Sequence, residues 1–152
     1  MNTESQLYFK TLKVISESSG LSFSSGSELF TDWLKQRKIH RDIIYLFSKC
    51  IPQDEAWAGA GALFGESKIM KWNNDFPEAL ENDLLITGSA PNGDIICIDL
   101  KTGGVGYICH EKDWPSNPRD SYASVSKSIG SFLHEINSNP PLIPEDYWEA
   151  IK

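Results

Sequence analysis

The side chains of this chain that could do covalent or acid–base chemistry are few and scattered. His40, His110 and His134 lack the i, i+4 spacing by which one helix chelates zinc, which leaves only long-range ligation open. Cys50, Cys97 and Cys109 are an odd set with no paired spacing, so free thiols are expected. Cys109 adjoins His110, yet successive strand residues point to opposite faces, so the two cannot readily share the hydrogen bond that a thiolate nucleophile needs. Asp94 and Asp99 are separated by an odd number of residues, which puts them on opposite faces of a regular strand and argues against paired-carboxylate catalysis. His110-Glu111 could polarise a substrate from a strand end, but that pairing is more often a surface feature. Ser89, in Thr87-Gly88-Ser89-Ala90-Pro91, lacks the second glycine of a nucleophile elbow, and Pro91 would obstruct the helix an elbow requires. In Gly59-Ala60-Gly61-Ala62-Leu63-Phe64-Gly65 the third glycine falls one place late for a dinucleotide loop, and Pro52-Gln53-Asp54-Glu55 precedes it instead of a buried strand. The expectation is a chain with no catalytic residue, no cofactor and no metal.

The elements that would carry these residues centre on Leu84 to Glu111, which reads as a small antiparallel sheet. Leu84 and Ile86 lead to Asn92-Gly93-Asp94, where Asn and Gly tolerate the positive φ of a tight turn. Asp94 to Leu100 and Val105 to His110 follow as adjacent strands, with Thr102-Gly103-Gly104 permitting the reversal between them. A two-residue loop at Thr102-Gly103 sets Leu100 opposite Val105, Ile98 opposite Tyr107 and Ile96 opposite Cys109, six side chains on one apolar face. The other face carries Ile95, Cys97, Asp99, Gly106, Ile108 and His110, a mixed set that suggests partial exposure or a contact surface. This register separates Cys97 from Cys109 and argues against a disulfide between them.

Helices flank the sheet. Tyr8, Leu12 and Ile15 mark a first helix ended by Ser18-Ser19-Gly20. Ser27 can cap a second with a stripe of Leu29, Phe30, Trp33 and Leu34, and Ile39, Ile43, Ile44 and Phe47 form a third stripe before Pro52. Leu63-Phe64 suggests a short strand, Ser67 can start a helix bearing Ile69, Met70 and Trp72, and Val125 to Ile136 forms an amphipathic helix. Pro144 opens a last helical turn. A single α+β domain over 1–152 is expected, with a central, mainly antiparallel sheet of four or more strands and helices packed on one face. Its parts are a helical segment over 1–50, strands with one helix over 59–111, and C-terminal helices over 124–152.

In the order of its motifs the chain resembles the SUKH superfamily. The pieces are Gly93-Asp94-Ile95-Ile96-Cys97-Ile98-Asp99-Leu100, then Gly103-Gly104-Val105-Gly106-Tyr107-Ile108-Cys109-His110-Glu111, then Ser124 to Ile136. Upstream, Trp72-Asn73-Asn74-Asp75-Phe76-Pro77 and Leu85-Ile86-Thr87-Gly88-Ser89 are also similar to bacterial members related to the fungal cell-wall assembly regulator. The resemblance covers Gly61 to Ile136 best and the first sixty residues least. It implies a non-catalytic protein-binding domain, in bacteria an immunity protein that neutralises a secreted toxin, often a nuclease, by direct binding. The alternatives are a regulatory or scaffold domain for an endogenous protein, and a small hydrolase using His110.

Composition narrows the partner. A net charge of −7 argues against tracking nucleic-acid phosphates and favours a basic protein, such as a cognate toxin. No apolar run is long enough to span a membrane, and the opening Met1-Asn2-Thr3-Glu4 lacks the basic and apolar regions of a signal peptide, so a cytoplasmic protein is expected. The partner surface is expected at one end of the sheet, from Asn92, Asp94, Glu111, Asp113, Trp114 and Arg119, with Trp114 as the anchor. Trp57 and Trp148 stand as further aromatic candidates.

Overall fold

The structure is a computed structural model that describes residues 3–20, 22–59, 61–109 and 117–138. It opens with helix α1 (Thr3–Ser19), which buries Tyr8, Leu12 and Ile15 along one stripe and ends where Gly20 turns to φ +71° and its N–H donates to Ser16 O. A short strand β1 (Phe23–Ser24) precedes α2 (Glu28–Gln36), where Ser27 Oγ accepts the Phe30 N–H at 3.1 Å as the cap its sequence suggests. Phe30, Trp33 and Leu34 are buried, whereas Leu29, expected in that stripe, is 72% exposed in the first turn. His40 Nδ1 caps α3 (Arg41–Lys49) by accepting from Asp42 N–H, and β2 (Ile51–Pro52) then pairs antiparallel with β1.

From there six strands enter one antiparallel sheet in chain order: β3 (Glu55–Ala58), β4 (Gly61–Phe64), β5 (Leu84–Ser89), β6 (Ile95–Asp99), β7 (Val105–Ile108) and β8 (Tyr122–Ser126). Helices α4 (Glu66–Asp75) and α5 (Pro77–Glu81) interrupt the meander between β4 and β5, where one helix was expected. The start of α4 is Gly65 without a side-chain cap, not Ser67. Asn73 on α4 explains how β5 tolerates the interruption. Its carboxamide accepts the Ile86 N–H at 3.0 Å and donates to Ile86 O at 2.9 Å and Ile69 O at 2.7 Å, supplying the edge of β5 with partners that a strand would otherwise provide.

The β6–β7 register differs from the expected one by two residues: Ile98 faces Val105 and Ile96 faces Tyr107. The reason lies in the turn. Asp99 O accepts the Gly103 N–H at 2.7 Å, Asp99 Oδ1 accepts the Lys101 N–H at 2.9 Å, and Gly103 takes φ +80°, so the reversal begins at Asp99 and the loop is longer. Because side chains alternate with period two, an even shift leaves every residue on its expected face. Ile96, Ile98, Val105 and Tyr107 are buried, with Tyr107 edge-on to Phe132 at 5.6 Å. The opposite face is not the half-exposed surface its composition suggests, since Ile95, Cys97, Asp99 and Ile108 are all buried too.

The second departure is at the end of the described chain. The segment Tyr122 to Ser126, of which Val125 and Ser126 are expected as helix, is β8, and helix α6 (Ile129–Ile136) begins only after Ser128, whose Oγ accepts the Ser131 N–H. Pairing with β7 wins over local helical periodicity because buried β7 would otherwise leave its outer backbone groups without partners. Helix α6 lies against α1 so closely that a Cβ on Gly130 would come within 2.5 Å of Glu4 O. The result is the α+β fold expected, with the sheet meander at its centre.

Candidate functional site

Of the six residues expected to form the partner surface, Glu111, Asp113 and Trp114 lie outside the described residues, as do His110 and Trp148. The other three are not brought together. Asn92 Oδ1 accepts the Asp94 N–H at 3.0 Å, and Ala90 N–H donates to Asp94 O, so both residues build the β5–β6 turn. Asp94 is fully buried and presents nothing to a partner.

Arg119 belongs to a different place. It sits in the single-turn 3-10 helix η1 (Pro118–Ser121) and reaches the far end of β6, where it grips Asp99 with both arms: Nη2 to Oδ1 at 2.6 Å and Nη1 to Oδ2 at 3.1 Å. Its Nε donates to Asn82 O at 2.7 Å and Nη2 also to Asp83 O at 3.3 Å. Five strand residues at about 3.3 Å each put Asp94 and Asp99 roughly 16 Å apart, so Asn92 and Asp94 mark one end of the sheet and Arg119 serves the other. The Arg119 hydrogen bonds hold the Asp99 carboxyl below its ordinary range, with burial opposing and the Lys101 N–H assisting. The same cluster pushes the Tyr122 phenol up, mainly by burial and then by the Asp99 charge. This fork is a structural tie between the β7–β8 connection and the α5–β5 turn.

One thiol is wholly withdrawn. Cys97 is fully buried, which pushes its thiol up and away from the reactive thiolate, and Cys50 is raised for the same reason. All three cysteines are free. Among the described residues no cluster of three or more His, Cys, Asp or Glu is placed to hold a metal ion. A cleft of about 350 Å³ lies between the amino ends of α3 and α6 and the β6–β7 turn, floored by Ile43, Leu46, Ile98, Leu100 and Ile129. Its most favourable anion position is taken by the protein itself. Glu4 accepts hydrogen bonds from Ser128 and Ser131 at the start of α6 and pairs with Lys127 at 3.2 Å, and these contacts, Ser128 first, lower its pKa.

The outward-facing candidate is Trp57 on β3. One row of directly paired residues crosses the whole sheet on one face, from Trp57 through Ala62, Ser89, Ile95 and Ile108 to Tyr122. Within it Ala62, Ile95 and Ile108 are buried, and Trp57 is 45% exposed. Its neighbours are acidic: the Asp54 side chain is 78% exposed, and Glu55 shares Lys68 with it, at 2.7 Å from Glu55 and 3.8 Å from Asp54. Sequence analysis notes Trp57 but misses its strand. The available signal is the alternation Glu55, Ala56, Trp57, Ala58 before a Gly59-Ala60 reversal, with small residues between large ones. Among the described residues β3 is also the first strand of the sheet and lies at one of its two edges, β8 being the other. No helix among the described residues is long and apolar enough to cross a membrane. Comparisons with protein families, with curated proteins and with solved structures give no match.

Proposed function

We propose that this chain is a non-catalytic protein-binding domain of SUKH type, acting in the cytoplasm as an immunity protein that neutralises a basic bacterial toxin by direct contact. The observation that carries the reading is the division of labour among its polar and aromatic groups. Asp94, Asp99, Arg119 and Cys97 are spent within the fold, while an exposed indole stands near the exposed Asp54 and the half-buried Glu55 on a molecule of net charge −7. A large aromatic supplies binding energy, and a surplus of negative charge speeds encounter with a positive partner. The SUKH-like order of motifs over Gly61 to Ile136 supports the same assignment.

The test is binding of the purified chain to the polypeptide encoded by the adjacent gene, followed by titration calorimetry and by stopped-flow association. A one-to-one complex is expected, with association slowed by added salt because the steering field is screened. His110→Ala should leave that binding and any protection of toxin-producing cells intact. Absence of a complex, or turnover of a substrate that disappears with His110→Ala, would overturn the proposal.

A further inference from the structure

We propose that the outer edge of β3 docks an extended, basic segment of a partner protein, which adds to the sheet as a further strand beside Glu55 and Trp57. This rests on the protein-binding reading and names the surface and the chemistry of its partner.

The backbone argument comes from the β3–β4 hairpin. It pairs Ala58 with Gly61 and Ala56 with Leu63, and because Ala62 O lies against Gly88 of β5, it is these two pairs that exchange backbone hydrogen bonds between β3 and β4. Alternation then turns the N–H and C=O of Glu55 and Trp57 away from β4, toward the open side. No described residue bonds to these groups. Edges are commonly blunted by a proline or lysine of the strand itself, but β3 carries neither and presents an exposed Trp.

The main-chain bonds from two residues are too few to hold a strand alone. Trp57 therefore serves as the anchor, its indole packing over the side chains of the added strand. Charge selects the occupant. Asp54 and Glu55 together outweigh Lys68, so the edge attracts lysine and arginine. A second copy of this chain is disfavoured by the same charges. Antiparallel β3–β3 pairing about Ala56 would gather Asp54 and Glu55 of both copies within a few residues, on molecules that each carry −7.

The experiment uses the full chain with three changes. Trp57→Ala removes the anchor. Glu55→Pro removes an outward N–H, which leaves the β3–β4 ladder intact, and the Asp54→Asn, Glu55→Gln double variant removes charge alone. Against the adjacent-gene polypeptide, Trp57→Ala and Glu55→Pro should each weaken binding by on the order of 30-fold, mainly through faster dissociation, while the charge variant slows association. An unchanged affinity in Trp57→Ala and Glu55→Pro, with wild-type binding intact, overturns the edge while the protein-binding reading stands. If the adjacent-gene polypeptide does not bind at all, that reading fails, and a peptide of alternating lysine and valine decides the edge. A saturable shift of the Trp57 indole N–H with slowed exchange at the Glu55 and Trp57 amides supports docking, and no shift overturns it. An alternating glutamate and valine peptide should leave both signals unmoved.

Discussion

At the scale of single residues the decisive pair is Arg119 and Asp99. The Asp99 side chain is 8% exposed and that of Arg119 23%, so the forked contact is partly screened and its removal leaves a largely buried carboxylate behind. Arg119→Ala should cost about 2 kcal/mol of stability at neutral pH, read from urea unfolding. The pH dependence has a definite sign. Because Asp99 titrates lower in the folded state, its contribution is complete above the unfolded carboxylate value near about 4 and is lost as pH falls through the folded one. The gap between wild type and Arg119→Ala should therefore narrow as pH drops below about 4. A gap that stays constant through that window would place the stabilisation elsewhere. Sequence analysis names Arg119 as a partner contact because its loop is expected at the same end of the sheet as Asn92 and Asp94. What it cannot foresee is that η1 carries the guanidinium to the far end of β6, where Asp99 needs a counter-charge. Asn73 is hidden for a related reason, since its partner is the backbone of Ile86 and no side chain betrays it.

At the scale of elements, alternation and turn residues make β6, β7 and the face of each of their side chains legible, and the helical stripes of α1, α2 and α3 are legible too. The exact register is not, because it depends on whether Asp99 joins the strand or opens the turn. The start of α6 is missed because Tyr122 to Ser126 has one apolar position that fits a helical stripe, whereas the demand that makes it a strand comes from β7. Small residues where elements cross are equally silent in sequence. Gly130 permits α6 to meet α1, and its backbone is within van der Waals reach of Glu4 and Tyr8. Alanine is the better helix former by about 1 kcal/mol, so Gly130→Ala would stabilise an isolated helix. Here the added methyl meets Glu4 O and the Tyr8 N–H, and forcing the two helices apart should cost more than propensity returns. A net loss of about 1–2 kcal/mol is expected. A rise in melting temperature would mean that α1 gives way without penalty.

At the scale of the whole molecule, the buried sheet centre makes Cys97 a reporter of global opening. The half-buried thiols Cys50 and Cys109 should react with an aromatic disulfide reagent in the native state, and Cys97 only when the sheet parts. The labelling rate of Cys97 should rise with urea in step with unfolding followed by fluorescence, whereas Cys97 labelling as fast as the other two would indicate local access. The α+β class is legible from the pattern of apolar residues, while the number of strands is not, since β1, β2, β3 and β8 are short or lie at boundaries. The sheet is a meander of sequential neighbours, yet α1 packs against α6, the last helix among the described residues, with Glu4 bound to Ser128 and Ser131. A chain emerging from the ribosome can form its hairpins one after another as they clear the exit tunnel. Tyr8 can be covered early by Phe47 and Cys50, but the side of α1 that meets Gly130 must wait, uncovered, until α6 has been made. A nascent chain halted before Ser128 would therefore display that side of α1 to whatever holds unfinished proteins, and release from it would coincide with the arrival of α6.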